Sequence, residues 1–363
     1  MERRDAAAPT ELALTMRNLV ILTACALAAC QDVGHLTPRD DPDGMGDTDS
    51  VATCHPHVLD QHVHLAASNI YGALWTPSAG GRTWGGLDRV SDQGASFRMP
   101  AGWPGVDTGE WRDVSAAADG PALCIVEATG DLRCAWYGED WLPPSLAHSG
   151  LSGAAIVEES GCVLAGAGDI VCHRRDLGDS APAQDLRLPG SWVDLAFMIE
   201  GVDPRHWDDI SVLALDDRGR IGAAGAMMDE NLPDVACANE LVTEPNAAVC
   251  WTDADDRIGC LLRYPEGIHD FFAARYAWMD DLPTTGGWHD LALGDAHLCA
   301  LDADGRVHCW ASGDDALGPP PDGTGFVALA SGGMTACAAK ADGATTCWGQ
   351  GEYVVAGAPA AAP

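Results

Sequence analysis

Apolar and polar positions alternate across Cys299–Trp310 (CALDADGRVHCW), and the pattern predicts a β-hairpin. Cys299, Leu301, Val307 and Cys309 flank the polar run 302–306 at every second position. In two paired strands they share one face. Gly305 supplies the positive φ of a three-residue loop, with Asp302 and Asp304 as turn formers. A loop centred there pairs Cys299 with Cys309, Ala300 with His308 and Leu301 with Val307. Opposed Cβ atoms lie ~4.5–5.5 Å apart, near the separation a disulfide needs. The same Cys-x9-Cys spacing recurs at Cys124/Cys134, Cys162/Cys172, Cys250/Cys260 and Cys337/Cys347, with Gly130, Gly168, Asp256 and Gly343 at the turn. Each pair is therefore expected to form a disulfide within its own hairpin.

Two further copies lack the cysteines. Leu213–Ala223 has Gly219 at its turn, and Ala66–Thr76 is expected to turn at Gly72. Seven hairpins at a mean interval of about 45 residues imply a propeller or a solenoid. The facing pairs Val126/Leu132, Leu164/Ile170, Leu215/Ile221, Thr252/Ile258 and Leu301/Val307 are mostly apolar. The opposite face (Ile125, Val163/Val171, Ala214/Gly222, Ala300) is apolar or small. Sheets buried on both faces read this way. An open solenoid needs polar end caps, and no obvious cap is present, so a closed ring is expected.

A second motif precedes several hairpins. Trp111-Arg112-Asp113-Val114, Trp192-Val193-Asp194-Leu195, Trp288-His289-Asp290-Leu291-Ala292-Leu293-Gly294 and Phe326-Val327-Ala328-Leu329-Ala330-Ser331-Gly332 each predict a strand leading into the hairpin. Trp310 and Trp348 follow the second cysteine. The order aromatic, x-Asp/Ala-Leu/Val-Ala, Gly, x-x-His/Thr-x-Cys-Ala, Asp-Gly, Cys-Trp-Gly resembles the repeat of the regulator of chromosome condensation family. Trp288–Gly318 and Phe326–Gly351 carry it best. Trp348-Gly349-Gln350-Gly351 matches the family's Trp-Gly signature, and Trp310-Ala311-Ser312-Gly313 departs from it. The resemblance implies an all-β, seven-bladed β-propeller of four-stranded blades. It would occupy residues 51–357, with an Ala/Pro-rich tail at 358–363.

The N-terminus adds an address. Residues 19–29 (LVILTACALAA) are too short to span a bilayer and read as a signal-peptide core. Leu27-Ala28-Ala29-Cys30 resembles a bacterial lipoprotein signal, which implies removal of residues 1–29 and a lipid on Cys30. Met16 is an alternative start, because residues 1–15 lack a signal's basic end. Residues 30–50 are acidic and poor in large apolar side chains, as in a solvated tether. Their Asp40-Asp41-Pro42-Asp43-Gly44 lacks the spacing and closing Glu of a calcium loop. The expected location is the cell envelope, at the outer membrane or cell surface, with membrane contact only through the lipid.

Composition narrows the partners. The chain has 14 cysteines, and no Cys-x-x-Cys knuckle of the kind zinc takes. That usage fits an oxidising compartment. Cys25 falls in the leader, and Cys54 and Cys237 stay unassigned. A net charge of −34 argues against nucleic acid and against an anionic membrane surface.

Candidate chemistry is sparse. His55, His57, His62 and His64 crowd around Asp60 and are weak candidates for a transition-metal site. Alternatively His64 is a repeat residue, equivalent to His297. Two excursions interrupt the repeat. One lies between Leu195 and Val212 and holds Arg205, His206, Trp207, Asp208 and Asp209. The other, residues 261–287, holds Tyr264, Phe271, Phe272, Tyr276 and Trp278, with Arg263, Asp270 and Arg275 as a polar rim. Inserted loops on rigid scaffolds often bind partners, and aromatic clusters suit recognition. The alternative is that these rings fold inward as a plug or local core. The chain has no Gly-x-Ser-x-Gly, no His-Glu-x-x-His and no phosphate loop. No catalytic residue and no cofactor are expected. The expected function is non-enzymatic binding of a protein or glycan at the cell surface, by a monomer. One alternative is a secreted inhibitor of a bacterial enzyme, since the implied fold resembles that of a β-lactamase inhibitor protein. Another is a propeller hydrolase or lyase, which requires a buried carboxylate or metal cluster at the ring's mouth.

Overall fold

Each hairpin is built on its turn. In the sixth sheet the Asp302 Oδ1 accepts from the backbone N–H groups of Asp304 (3.0 Å) and Arg306 (2.9 Å). Asp216 does the same for Arg218 and Arg220, and Asp253 for Asp255 and Arg257. An Asp side chain thereby satisfies amides that the tight loop leaves unpaired. The turn residue sits at positive φ: Gly130, Gly168, Gly219, Gly305 and Gly343, with Asp256 taking φ 56° in the fifth sheet.

The computed structural model describes residues 63–68, 71–78, 80–85, 87–90, 96–97, 110–117, 122–136, 139–140, 150–157, 160–174, 185–199, 210–225, 235, 237–244, 248–262, 274–312, 317–350, 355 and 358. Among them the fold is all-β, with seven antiparallel blade-like sheets. The first sheet is His64–Ala67, Tyr71–Thr76 and Gly80–Gly85. The second is Trp111–Ala116, Ala122–Glu127, Leu132–Trp136 and Glu139–Asp140. The third is Leu151–Val157, Ser160–Ala165, Ile170–Arg174 and Asp185–Leu188. The fourth is Trp192–Ile199, Ile210–Asp216 and Ile221–Gly225. The fifth is Ala238–Glu244, Ala248–Asp253 and Ile258–Leu262. The sixth is His289–Gly294, His297–Leu301 and Val307–Ala311. The seventh is Phe326–Gly332, Thr335–Lys340 and Thr345–Gly349. The second and third sheets have four described strands and the other five have three. A small two-stranded ribbon, Leu87–Val90 with Ser96–Phe97, follows the first sheet.

The hairpin registers agree with the alternation pattern. Cys299 pairs with Cys309, Ala300 with His308 and Leu301 with Val307. Val126/Leu132, Leu164/Ile170, Leu215/Ile221 and Thr252/Ile258 are also direct partners. The opposed cysteines are bonded in all five hairpins: Cys124–Cys134, Cys162–Cys172, Cys250–Cys260, Cys299–Cys309 and Cys337–Cys347. Cys237 is also disulfide-bonded, to a partner outside the described residues.

The first repeat departs from expectation. Gly72 lies inside the strand Tyr71–Thr76, not at a turn, and Pro77 and Ser78 begin the loop that leads to Gly80. A Cβ on Gly72 would fall 2.2 Å from the Trp84 ring, so the glycine admits a close-packed indole. His64 also differs from its assumed equivalent. It opens an innermost strand, whereas His297 opens the second strand of its sheet.

The first strand of every sheet touches the first strand of the next. The first sheet's innermost strand also touches that of the seventh. Apolar residues fill the seams. Leu123 and Ile125 meet Ala66 and Ala73, while Leu301 and Val307 meet Phe326 and Ala336. The seam joining the chain's ends contains Ala67, Leu74 and Trp84 against Ala328, Ala330 and Ala339. Each sheet thus buries both faces against neighbours, which explains why neither face of its hairpin reads as polar.

Candidate functional site

The seven innermost strands surround a cavity of about 260 Å3. Residues 65–67, 113–116, 154–156, 194–196, 241–243, 291–293 and 329–331 line it. Small-molecule sites typically have ~300–1,000 Å3, so this space is small for an organic substrate. Alanines form much of its wall, and among the described residues its only ionisable lining groups are Asp113 and Asp194.

Those two carboxylates belong to a repeated construction. Each innermost strand from the second to the seventh sheet opens with a register shift, for example between Trp111 and Asp113 or Trp192 and Asp194. The shift re-aims the side chain at that point. Asp113 Oδ1 accepts from the Val114 amide and its Oδ2 from the Ala154 amide of the third sheet, both at 2.8 Å. Asp194 accepts from Leu195 at 2.8 Å and from the Leu241 amide of the fifth sheet. Glu240 accepts from the Leu291 amide of the sixth at 2.7 Å. Asp290, at φ 52°, accepts from the Leu329 amide of the seventh. Four acidic side chains therefore tie four seams, each by accepting a backbone amide of the next sheet.

A second set of bonds runs along the rim. The carbonyls of turn residues Gly130, Gly168, Gly219, Asp256 and Gly305 accept from the amides of Leu151, Trp192, Ala238, Trp288 and Phe326, at 2.7–3.1 Å. The turn in one sheet thereby fixes the start of the next sheet's innermost strand, at its first residue or, for Trp288, the residue before it. Gly305 has no room for a side chain, since a Cβ would lie 2.4 Å from the Phe326 carbonyl oxygen.

Burial raises the Asp113 carboxyl from 3.8 to about 7, against the pull of its two amide bonds, and Asp194 adds like-charge repulsion. Burial likewise raises Asp194 to about 6. Glu240 is pushed well above its ordinary value by burial, then by Asp290. A carboxylate cluster therefore exists beside the cavity, as a propeller hydrolase would require. Both Asp113 oxygens, Asp194, Glu240 Oε1 and Asp290 are engaged by backbone amides, whereas Glu240 Oε2 is buried without a hydrogen-bond partner among the described residues.

One polar pair joins the sixth and seventh sheets, where Ser331 lines the cavity. His297 Nε2 is 2.5 Å from Ser331 Oγ, and its Nδ1 is 3.2 Å from the Asp295 carbonyl oxygen. The Ser331 hydroxyl also reaches the Thr335 carbonyl oxygen at 2.8 Å. Burial lowers the His297 ring to about 4, so it is neutral at pH 7. These bonds satisfy buried polar groups within the sixth and seventh sheets.

The second excursion is described from residue 274 onward. Tyr276 and Trp278 are 2% and 4% exposed and pack against Leu291, Leu293, Leu298 and Ala300. The Tyr276 hydroxyl donates to Glu244 Oε2 at 2.9 Å. These two rings are core, not surface anchors, and they fill space between the fifth and sixth sheets. Tyr264, Phe271 and Phe272 lie outside the described residues. The short 3-10 helix Ala277–Asp281 is held in place by an Arg275–Asp295 ion pair and by the Ser312 hydroxyl, which donates to the Arg275 carbonyl oxygen. Between this excursion and the fifth sheet's outer strand lies a second cavity, of about 420 Å3. Ile258, Met279, Leu282 and Pro283 give it an apolar floor, and Asp253, Arg257 and Thr284 a polar edge.

His64 is 7% exposed, with its ring 5.6 Å from that of Trp75. Burial lowers it to about 4. His55, His57 and His62 lie outside the described residues, as do Cys30 and Cys54. Among the described residues no His, Cys, Asp or Glu group has the arrangement to hold a metal ion, and no helix is long and apolar enough to cross a membrane.

No family model and no curated protein matches the chain. Solved structures do resemble it. The ectodomain of the Arabidopsis thaliana receptor kinase ACR4, described as a CRINKLY WD40 ectodomain, aligns over 83% of this chain and 98% of its own, at 13% identity and a TM-score of 0.49. Human WBSCR16 aligns over 76% and 85%, at 12% identity and 0.48. Yeast RCC1 (Prp20), solved bound to Kap60, aligns over 80% and 70%, at 14% identity and 0.43. These likenesses are distant, and the blade arrangement rests on the chain's own strands and seams.

Proposed function

We propose that the chain is an exported, seven-bladed β-propeller that binds a protein at the cell envelope without catalysing a reaction, with a surface glycan as the other ligand class. The observation that carries this reading is how the acidic cluster is used. Asp113, Asp194, Glu240 and Asp290 join sheet to sheet through backbone amides, beside a cavity small for an organic substrate. Such a ring is a rigid frame, and binding on rigid frames falls to inserted segments. The excursion between the fifth and sixth sheets is that segment here. It carries the larger cavity of about 420 Å3 and exposed residues at Asp280, Asp281 and Thr284. Five bonded hairpins support the reading that the chain is exported to an oxidising compartment. A lipid on Cys30 would hold it at the membrane, and the Cys30→Ala variant should then be released or remain unprocessed. If that variant still fractionates with membranes at its processed size, the anchor is wrong.

The binding reading is tested by crosslinking on intact cells followed by mass spectrometry, with the wild type and Thr284→Trp, which fills the outer cavity. A partner crosslinked to residues 274–288 in the wild type and lost in the variant, at unchanged melting temperature, supports it. Equal recovery from both moves the binding surface elsewhere. Stoichiometric recovery of one soluble enzyme would favour the inhibitor reading.

A further inference from the structure

The five hairpin disulfides share one register but differ in access. Cys124, Cys134, Cys162, Cys172, Cys250, Cys299, Cys337 and Cys347 are all buried, whereas Cys260 and Cys309 are half-buried. Cys260 differs from Cys309 in what lies beside it. It lines the outer cavity of about 420 Å3, and no other cysteine among the described residues lines either cavity. Its strand, Ile258–Leu262, has no buried residue, while the third strand of every other bonded hairpin has at least one. The facing wall of Met279, Leu282 and Pro283 belongs to the excursion that Tyr276, Arg275 and Ser312 hold in place. Cys250 sits directly opposite Cys260 in the middle strand and is 0% exposed. The S–S axis therefore runs outward from the middle strand, and Cys260 is its outer end.

This hairpin keeps its shape by other means as well. Asp253 Oδ1 accepts from the Asp255 and Arg257 amides at 2.9 and 3.0 Å, and its Oδ2 accepts from Arg257 Nε at 3.0 Å. The fourth sheet closes its hairpin with the same turn bonds and no cysteines. A break between Cys250 and Cys260 would thus leave the two sulfurs opposed and able to rejoin.

We infer that Cys250–Cys260 is a thiol–disulfide exchange site, reached through the outer cavity by an external dithiol of the kind a thiol–disulfide oxidoreductase carries. One thiolate of the dithiol attacks Cys260 Sγ and forms a mixed disulfide. The electron pair of the broken S–S bond passes to Cys250 Sγ, which takes up a proton. The second thiolate of the dithiol then attacks its own partner sulfur in the mixed disulfide. Cys260 leaves as a thiolate and is protonated in turn. The dithiol ends oxidised to a disulfide, and the hairpin ends reduced to two thiols. Run in reverse, an oxidised partner restores the bond. Exchange frees the Cys260 side of the cavity from the core while the ring stays closed, so the redox state sets how firmly that wall is held. The chemistry rests on access to one sulfur and does not require a binding partner at this cavity.

The test is the order in which the hairpin bonds open in the native, oxidised protein. Limiting dithiothreitol is added, the reaction is stopped with acid at intervals, and freed thiols are alkylated and mapped by mass spectrometry. Cys250 and Cys260 should be labelled first, at least about tenfold faster than the other four hairpin pairs, because exchange needs access to the attacked sulfur. Circular dichroism at that stage should still report the folded sheet. Thr284→Trp fills the cavity and should bring this bond to within about twofold of the others, at unchanged melting temperature. The inference is overturned if another pair opens first, Cys299–Cys309 above all, or if all five open together. It is also overturned if Thr284→Trp folds normally and is reduced at the wild-type rate. If that variant does not fold, Leu282→Trp closes the cavity from the same wall and is read in the same way. None of these outcomes depends on whether crosslinking finds a partner at residues 274–288.

Discussion

The fourth and sixth sheets solve the same problem with and without a disulfide. Leu213 and Ala223 occupy the register that Cys299 and Cys309 occupy in the sixth sheet. Both hairpins turn through Asp-x-x-Gly-Arg, and both first aspartates accept from the amides two and four residues on. Asp216 Oδ2 also accepts from Arg220 Nε at 2.7 Å, where Asp302 Oδ2 meets His308 Nε2 at 2.9 Å. In the fourth sheet the apolar pair joins a core with Ala196, Leu241 and Val249. The shape of the hairpin is therefore set by the turn and by burial. The disulfide is an addition that constrains the unfolded chain.

The comparison predicts its largest effect on reduction. In the chain-entropy model, a loop with a sequence separation of 10 contributes about 3 kcal/mol per disulfide. Five such loops together rival the ~5–15 kcal/mol net stability of a typical domain. Reduction at neutral pH should therefore unfold the protein cooperatively, including the fourth sheet, which has no bond to lose. Circular dichroism with and without reductant decides it. An unchanged melting temperature after complete thiol release would mean that burial alone suffices in every sheet, as it does in the fourth hairpin.

How far the chain could be read in advance follows from the same contrast. Local geometry was legible because Cys-x9-Cys spacing, a turn glycine and strict alternation all fix one register, and the five bonded hairpins agree with it. The first sheet's hairpin has neither cysteine, and its glycine, Gly72, makes room for Trp84 instead of closing a turn. The aspartates of the Trp-x-Asp motif were visible, but their use was not. Their partners are backbone amides about 40 to 50 residues away. At the equivalent place in the fifth sheet Glu240 follows Ala238-Asn239, so the motif itself disappears. Tyr276 and Trp278 stand in an interruption of the repeat, where pattern alone does not separate an exposed ring from one that plugs a seam.

An intermediate effect separates the two turns from each other. Asp216 has a side chain 10% exposed and Asp302 one 28% exposed. Removing a carboxylate strands the amides it served, at ~1–3 kcal/mol for each one kept from water. Asp216→Ala should lower stability by about 3 kcal/mol and Asp302→Ala by about half as much, because water reaches the sixth-sheet turn and the Cys299–Cys309 bond persists. Urea midpoints at constant slope measure both. Equal losses would show that exposure does not govern the turn's contribution.

The smallest effect comes from giving the fourth sheet what the sixth has. In Leu213→Cys/Ala223→Cys the two thiols face each other in the register that bonds Cys299 to Cys309, so the disulfide should form on oxidation. Its entropic contribution is again about 3 kcal/mol. Leu213 is 0% exposed, however, and packs against Ala196, Leu241 and Val249. Cutting a buried Leu back toward Ala costs ~2–5 kcal/mol, and cysteine recovers part of that volume. The two terms nearly cancel, so the oxidised variant should melt within a few degrees of the wild type, while its reduced form melts well below it. Mass mapping without reduction identifies the bond, and paired melts give the balance. If the oxidised variant were much more stable than the wild type, the apolar pair would be contributing little, and burial could not be what closes the fourth hairpin.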